Sequence, residues 1–248
     1  MMLLRGDAIV LAGGTGRVGG ATLATFVREG ARVLVLSRSL ERARAAIDDI
    51  LDGDEAAAAI PFAADLGDPA QAAAAIAACV ERFGRIDALV SLAGESKVVP
   101  LVESSLADLR DNVAGFLETA YNLALPALRA MLDQPYLDDA RSRGRIVVVT
   151  AGSSKQPAPG RGLFGAAKAG VNVLMQAIAR EHKDDGIVAS ALVLGGVATA
   201  AARSYYDADA FAAAATPQEV ADALAFLASD RGSGINGALV DLNAREVD

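Results

Sequence analysis

The clearest chemistry lies in a glycine-rich run, Gly13-Gly14-Thr15-Gly16-Arg17-Val18-Gly19, which directly follows the apolar Ala8-Ile9-Val10-Leu11. Glycines let a backbone turn tightly and approach a bound group closely. A helix that opens at such a turn offers unpaired N–H groups and the positive end of its dipole to phosphate. Gly13, Gly16 and Gly19, with Thr15, Arg17 and Val18 between them, therefore read as a pyrophosphate cradle; the alternative is a tight turn that holds nothing. A second apolar run closes on Leu36-Ser37-Arg38. An acidic residue there would take the ribose hydroxyls of an NAD-type adenosine, whereas a small residue followed by arginine suits a 2′-phosphate. Ser37 and Arg38 thus predict NADP(H) over NAD(H), with Arg17 as a second positive group near the phosphates.

Such a cradle needs a strand before it and a helix after it, and the chain repeats that alternation from end to end. Strands are predicted over 8–11, 32–36, 60–63, 86–92, 146–150, 188–194 and 238–242. Helices are predicted after the glycines through Arg28, over 40–51, from Pro69 behind the capping Asp68, over 106–131 with a bend near Pro126, over 164–182, and from the capping box at Thr216 to Glu219. Continuous apolar strands separated by helices imply a parallel sheet covered on both faces. The expected fold is a single-domain α/β Rossmann fold over 1–248, doubly wound, with helices on both faces. The polar run 133–144 reads as a surface turn. The irregular run 198–215 follows a strand's carboxyl end and is expected to be a substrate lid.

Composition narrows the function classes. The formal charge is −8 and no basic run occurs, so nucleic acid is not an expected partner. One cysteine, Cys79, and one histidine, His182, leave no internal disulfide and no plausible metal site. Cys79 is expected in the core and His182 at a helix end, compensating the dipole. No apolar stretch reads as long and charge-free enough to cross a membrane, and the first residues are too few for a signal peptide, so a cytoplasmic location is expected.

With these landmarks in order, the chain resembles the short-chain dehydrogenase/reductases over nearly its whole length. Asp65-Leu66 resembles the family's adenine-contacting pair. Ser91-Leu92-Ala93-Gly94 looks like a variant of its Asn-Asn-Ala-Gly motif, and Asn112 is similar to its active-site asparagine. Lys168 falls where the cofactor-binding lysine belongs, and Val193 to Thr199 resembles the Pro-Gly segment with its threonine. The resemblance implies cofactor contacts for Asp65, Leu66, Ala93, Gly94, Lys168 and Thr199, and retained catalytic positions at Asn112 and Lys168. It also implies oligomers, a dimer or tetramer, built through the helices over 106–131 and 164–182.

The departures bear on chemistry. The family's Tyr-x-x-x-Lys reads Phe164-Gly165-Ala166-Ala167-Lys168, and the catalytic serine's place falls on Ala151. Leu92 replaces an asparagine, Leu194 a proline, and Arg17 stands where many members carry a glycine. Carbonyl reduction sends hydride to carbon and a proton to oxygen; tyrosine supplies that proton, worth ~10²–10⁴ in rate. Phenylalanine and alanine supply neither the acid nor the hydrogen bond to oxygen, and the flanking Thr150, Ser153 and Ser154 are poor acids. Two readings follow. One is an NADP(H)-dependent oxidoreductase with an atypical site for a small carbonyl or enoyl-type substrate, helped by Tyr205 or Tyr206. The other is a catalytically inactive chain that pairs with an active homologue or serves as an NADP(H)-binding regulator.

Overall fold

Seven short apolar runs become strands: β1 (Ala8–Ala12), β2 (Arg32–Ser37), β3 (Ala59–Ala63), β4 (Ala88–Ser91), β5 (Gly144–Ala151), β6 (Ile187–Leu194) and β7 (Leu239–Leu242). The helices between them are α1 (Arg17–Arg28), α2 (Leu40–Ile50), the single turn α3 (Gly53–Ala56), α4 (Pro69–Phe83), α5 (Leu106–Asn112), α6 (Thr119–Asp133), α7 (Gly162–Glu181), α8 (Ala208–Ala213) and α9 (Pro217–Ala228). This computed structural model describes residues 2–94, 98–137, 140–204 and 206–242. All strand pairs are parallel, in the order β3-β2-β1-β4-β5-β6-β7. The order reverses direction beside β1, so the crevice between β1 and β4 opens at their carboxyl ends, where such sheets bind ligands.

Alternate side chains divide the core into two layers, as the period of a strand requires. Along β1, Ala8, Val10 and Ala12 pack with α4, α6 and α7, while Ile9 and Leu11 pack with α1, α2 and α9. Alanines at 72, 75, 120, 124 and 127 let α4 and α6 lie close on the sheet and on each other. Cys79 is buried among them, and burial pushes its thiol up to about 12. His182 caps α7 and places Nδ1 2.9 Å from the Asp185 carboxylate.

Three expectations need correction. The strand expected from Ile86 begins at Ala88, because the Gln134 amide takes both the N–H and the carbonyl of Ile86 away from the sheet. The helix expected over 106–131 is not one α-helix: a π-helical segment, Val113–Glu118, directly after Asn112, separates α5 from α6, and Pro126, where a bend was expected, lies inside α6. There the Thr119 N–H and hydroxyl both reach back to the Ala114 carbonyl, five residues earlier. Finally, α7 is long and apolar enough to cross a membrane, contrary to the composition reading, although half of its apolar window is buried in the fold. Of the surface turn expected over 133–144, Asp138 and Asp139 lie outside the described residues.

Phe26 is fully buried between α1 and the sheet. Phe26→Ala is expected to destabilise the chain by ~3–5 kcal/mol, with a lower urea midpoint and an unchanged denaturant slope. A loss below ~1 kcal/mol would mean that α1 is not seated on this core.

Candidate active site

The glycine turn is built by contact between backbones. Gly13 has φ 84°, and a Cβ there would press on the backbone of Leu92 and Ala93 at 3.0–3.1 Å. A Cβ on Gly19 would overlap the Gly13 carbonyl oxygen, so only glycine lets α1 sit this close to the turn. Helix α1 starts from Gly16 with no side-chain cap and no acidic residue in its first turn. By contrast Ser39, Asp68, Ser105, Asp207 and Thr216 each cap their own helix with a side-chain oxygen. The first turn of α1 is thus left to an anion.

A cleft of about 740 Å³ runs over this turn. Of the residues singled out from sequence, Gly13, Thr15, Gly16, Ser37, Arg38, Asp65, Leu66, Ala93, Gly94 and Asn112 line it. Arg17, Val18, Gly19, Lys168 and Thr199 are not in its wall. Arg17 is exposed on the first turn of α1, and Gly19 acts from beneath by letting that turn approach. At the adenosine end Arg42 joins Arg38, which sequence reasoning missed. Arg38 precedes the cap of α2 and Arg42 stands in its first turn, so the two meet through the turn into the helix. Ser39 pins that start by accepting from the Arg42 N–H. Across the cleft Asp65 accepts from the Gly67 N–H, and Asn122 holds the Leu66 carbonyl at 3.0 Å.

The other end of the site is apolar. Phe164 and Ala151 pack with Phe116 and Ala167. The two phenyl rings meet edge to face with centroids 5.2 Å apart, and the Arg161 guanidinium lies 5.8 Å from the Phe164 ring. Lys168 is buried beside them; its Nζ donates to the Val149 carbonyl at 2.8 Å and sits 4.4 Å from the centre of the Phe116 ring. Burial pulls the lysine down to about 8. Asn112 donates to the Asp108 carbonyl, and its Oδ1 is buried with no hydrogen-bond partner among the described residues, as is the Thr150 hydroxyl. Ser154 accepts from Asn172 at 2.8 Å. Phe116 was invisible from sequence as a site residue, because nothing in an alanine-rich helix marks which ring turns inward.

Beyond β6, the Thr199 hydroxyl accepts from the Ala202 N–H and so serves a local turn. The segment expected as a lid carries α8 and is drawn in by the Val197–Ala215 bridge. Arg203 stacks 4.3 Å over the Phe211 ring within it. Tyr206 lies close to Gly196, where an added Cβ would come 2.9 Å from the tyrosine hydroxyl. Tyr205 lies outside the described residues.

The adenosine and phosphate half of a dinucleotide fits these residues: an uncapped helix start, glycines that give way to a ligand and two arginines at the ribose end. The nicotinamide half does not fit as the chain stands, because Phe116 and Phe164 cover Lys168.

Lys168 has a signature of its own. Its folded value lies below the ordinary 10.5, so between about pH 8 and 10.5 the unfolded chain binds more protons and stability rises with pH. Lys168→Met should abolish that rise, a difference on the order of 1–3 kcal/mol between pH 7 and pH 10 in urea unfolding. Parallel pH profiles for the two chains would mean that the ammonium is not desolvated.

Comparison with known proteins agrees with this architecture. The chain is 34% identical over 189 residues to the cis-2,3-dihydrobiphenyl-2,3-diol dehydrogenase of Paraburkholderia xenovorans (strain LB400), covering 73% of this chain and 62% of that enzyme. It is 30% identical to the uncharacterized short-chain type dehydrogenase/reductase y4mP of Sinorhizobium fredii (strain NBRC 101917 / NGR234), across 98% of both chains. A solved short-chain type dehydrogenase/reductase from Mycobacterium ulcerans superposes with a TM-score of 0.87 over 96% of this chain and 89% of that one, at 20% identity, a likeness of fold. Residues 7–210 match the short chain dehydrogenase family model. The chain therefore belongs to the short-chain dehydrogenase family, oxidoreductases that work with nicotinamide dinucleotides.

Proposed function

We propose that this family member binds NADP(H) and does not reduce ketones, acting as an NADP(H)-binding regulator or as the inactive partner of an active homologue. The observation that carries this reading is the place of Phe164. It packs edge-on against Phe116 beside Ala151, over a lysine whose ammonium is given to a backbone carbonyl. Among the described residues, no acid stands beside Phe164 and Ala151, where the carbonyl oxygen would lie. NADP(H) rather than NAD(H) is favoured by Arg38 and Arg42, which line the cleft at the end of β2, where no acidic residue follows Leu36.

The chain's own residues then divide the work. The backbone of the glycine turn and the first turn of α1 take the phosphates. Arg38 and Arg42 take the ribose phosphate in geometry that excludes a free vicinal diol. Asp65 and Leu66 flank the adenine, with Asn122 fixing their loop.

Association of two or four copies, or with a homologue, is favoured by the exposed Leu109 and Tyr121 on the α5–α6 stretch and Val173 on α7. A second reading, hydride transfer to an enoyl-type substrate, is favoured by one observation, the Tyr206 hydroxyl beside Gly196 at the carboxyl end of β6. It would place an enolate-stabilising hydroxyl on the lid rather than on α7.

Calorimetry with NADP⁺ and NAD⁺ tests the cofactor. NADP⁺ should bind at least ~30-fold tighter, and Arg38→Ala should erase most of that margin, a loss of ~2 kcal/mol. A preference for NAD⁺, or one unmoved by Arg38→Ala, would overturn it. NADPH-dependent ketone reduction should be absent in the wild type, and brisk turnover would end the inactive reading. Phe164→Tyr with Ala151→Ser is expected to stay inactive while the Phe116 ring closes the site, and the triple variant that adds Phe116→Ala to recover part of the ~10²–10⁴ that an acid supplies. Oxidation of NADPH by an enoyl thioester, lost in Tyr206→Phe, would favour the second reading.

A further inference from the structure

We infer that the cleft reads only the phosphorylated adenosine half of its nucleotide, so that oxidised, reduced and nicotinamide-free ligands bind alike. This rests on the NADP(H) reading above and deepens it. The sheet order places the adenosine groups at the end of β2 and the phosphates over β1. The second nucleoside must then pass the end of β4 toward the end of β5, a path of three strand spacings or ~14 Å.

That path is closed by side chains. Gly94, just past β4, lines the cleft with φ 139°, and a Cβ on it would overlap the Phe116 ring. Phe116 is 5% exposed, Phe164 9% and Lys168 6%, and the Phe116 ring meets both the Phe164 ring and the Lys168 ammonium. Among the described residues, the wall of the cleft reaches Gly94, Asn112 and Gly115 and includes none of Phe116, Ala151, Phe164 or Lys168. The backbone under Phe116 is also tied down. The residue stands on the π-helical segment, whose Ala114 carbonyl is tied to the Thr119 hydroxyl at 3.0 Å. A nicotinamide ribose could reach Lys168 only by turning Phe116 out, breaking its contacts with Phe164 and with the ammonium.

The adenosine half meets no such obstacle. NADP⁺ and NADPH differ only in the nicotinamide ring, which this geometry leaves in solvent. The chain then responds to the total concentration of 2′-phosphorylated adenine dinucleotide, not to its redox ratio.

The test is calorimetry of the full wild-type chain with NADP⁺, NADPH and 2′-phospho-ADP. The three dissociation constants should agree within about tenfold, and the emission of bound NADPH should match that of free NADPH. A dinucleotide preferred over 2′-phospho-ADP by more than about tenfold, or a split of that size between NADP⁺ and NADPH, overturns the inference while leaving nucleotide binding intact. Binding of none of the three overturns the NADP(H) reading and this one with it. In Phe116→Ala, both dinucleotides should tighten by at least about tenfold with 2′-phospho-ADP unchanged. A folded Phe116→Ala chain that binds all three as the wild type does would show that the ring is not the barrier. The wild-type comparison decides by itself if that variant does not fold.

Discussion

Helix α1 rests on the backbone of the turn that precedes it, and the ligand end of the structure depends on that contact. With hydrogen alone on Gly19, the first turn of the helix reaches the Gly13 carbonyl; any larger side chain would lift it away. Seated there, the uncapped N–H groups point across the crevice between β1 and β4. The ends of β2 and β3 bring Arg38, Arg42 and Asp65 to the same height. The parallel register transmits the placement: β1 to β4 end level to within one residue, while β5 and β6 run three residues further and wall the crevice on that side.

The two ends of the crevice obey opposite rules. At the adenosine end Arg38, Arg42 and Asp65 are charged and exposed. At the β5 end a cation is buried among rings, which costs desolvation energy unless partners are found. Lys168 finds two, the Val149 carbonyl and the face of Phe116. Both are partners within the chain, so the lysine is satisfied without substrate or cofactor. The same position serves a different purpose when a tyrosine stands beside it, since a lysine near a phenol lowers the phenol's pKa. With Phe164 in that place, the electrostatic benefit has no recipient.

Much of this was readable from the amino acids alone. Strand and helix alternation followed from apolar periodicity. The capping box at Thr216 and the Asp68-Pro69 start mark helix origins by local chemistry, which needs no knowledge of the fold. The glycine turn and Arg38 were legible for the same reason. What stayed hidden depends on long-range packing. Gln134 shortens β4 from 48 residues away. Phe116 gains its place only because the helix register before it is altered, and Arg42 shares the cleft only once α2 folds back across β2. Sequence also underrated the apolar length of α7, because alanines interspersed among its aliphatic residues count little to the eye and add up over twenty residues.

The π-helical segment between α5 and α6 carries a further consequence. A π turn accommodates about one residue more than an α turn, and each residue turns an α-helix by roughly 100°. Val113–Glu118 therefore acts as a phase shifter between two rods. Upstream of it, Asn112 faces the cleft; downstream, Leu123, Ala127 and Met131 face the sheet. A straight α-helix through the same residues could not satisfy both directions at once. Loss of a single residue from this stretch would rotate one rod against the other, moving either the asparagine off the cleft or the leucine–methionine stripe off the core. The length of that segment is thus under tighter constraint than its composition: most of its side chains could change, but not their number.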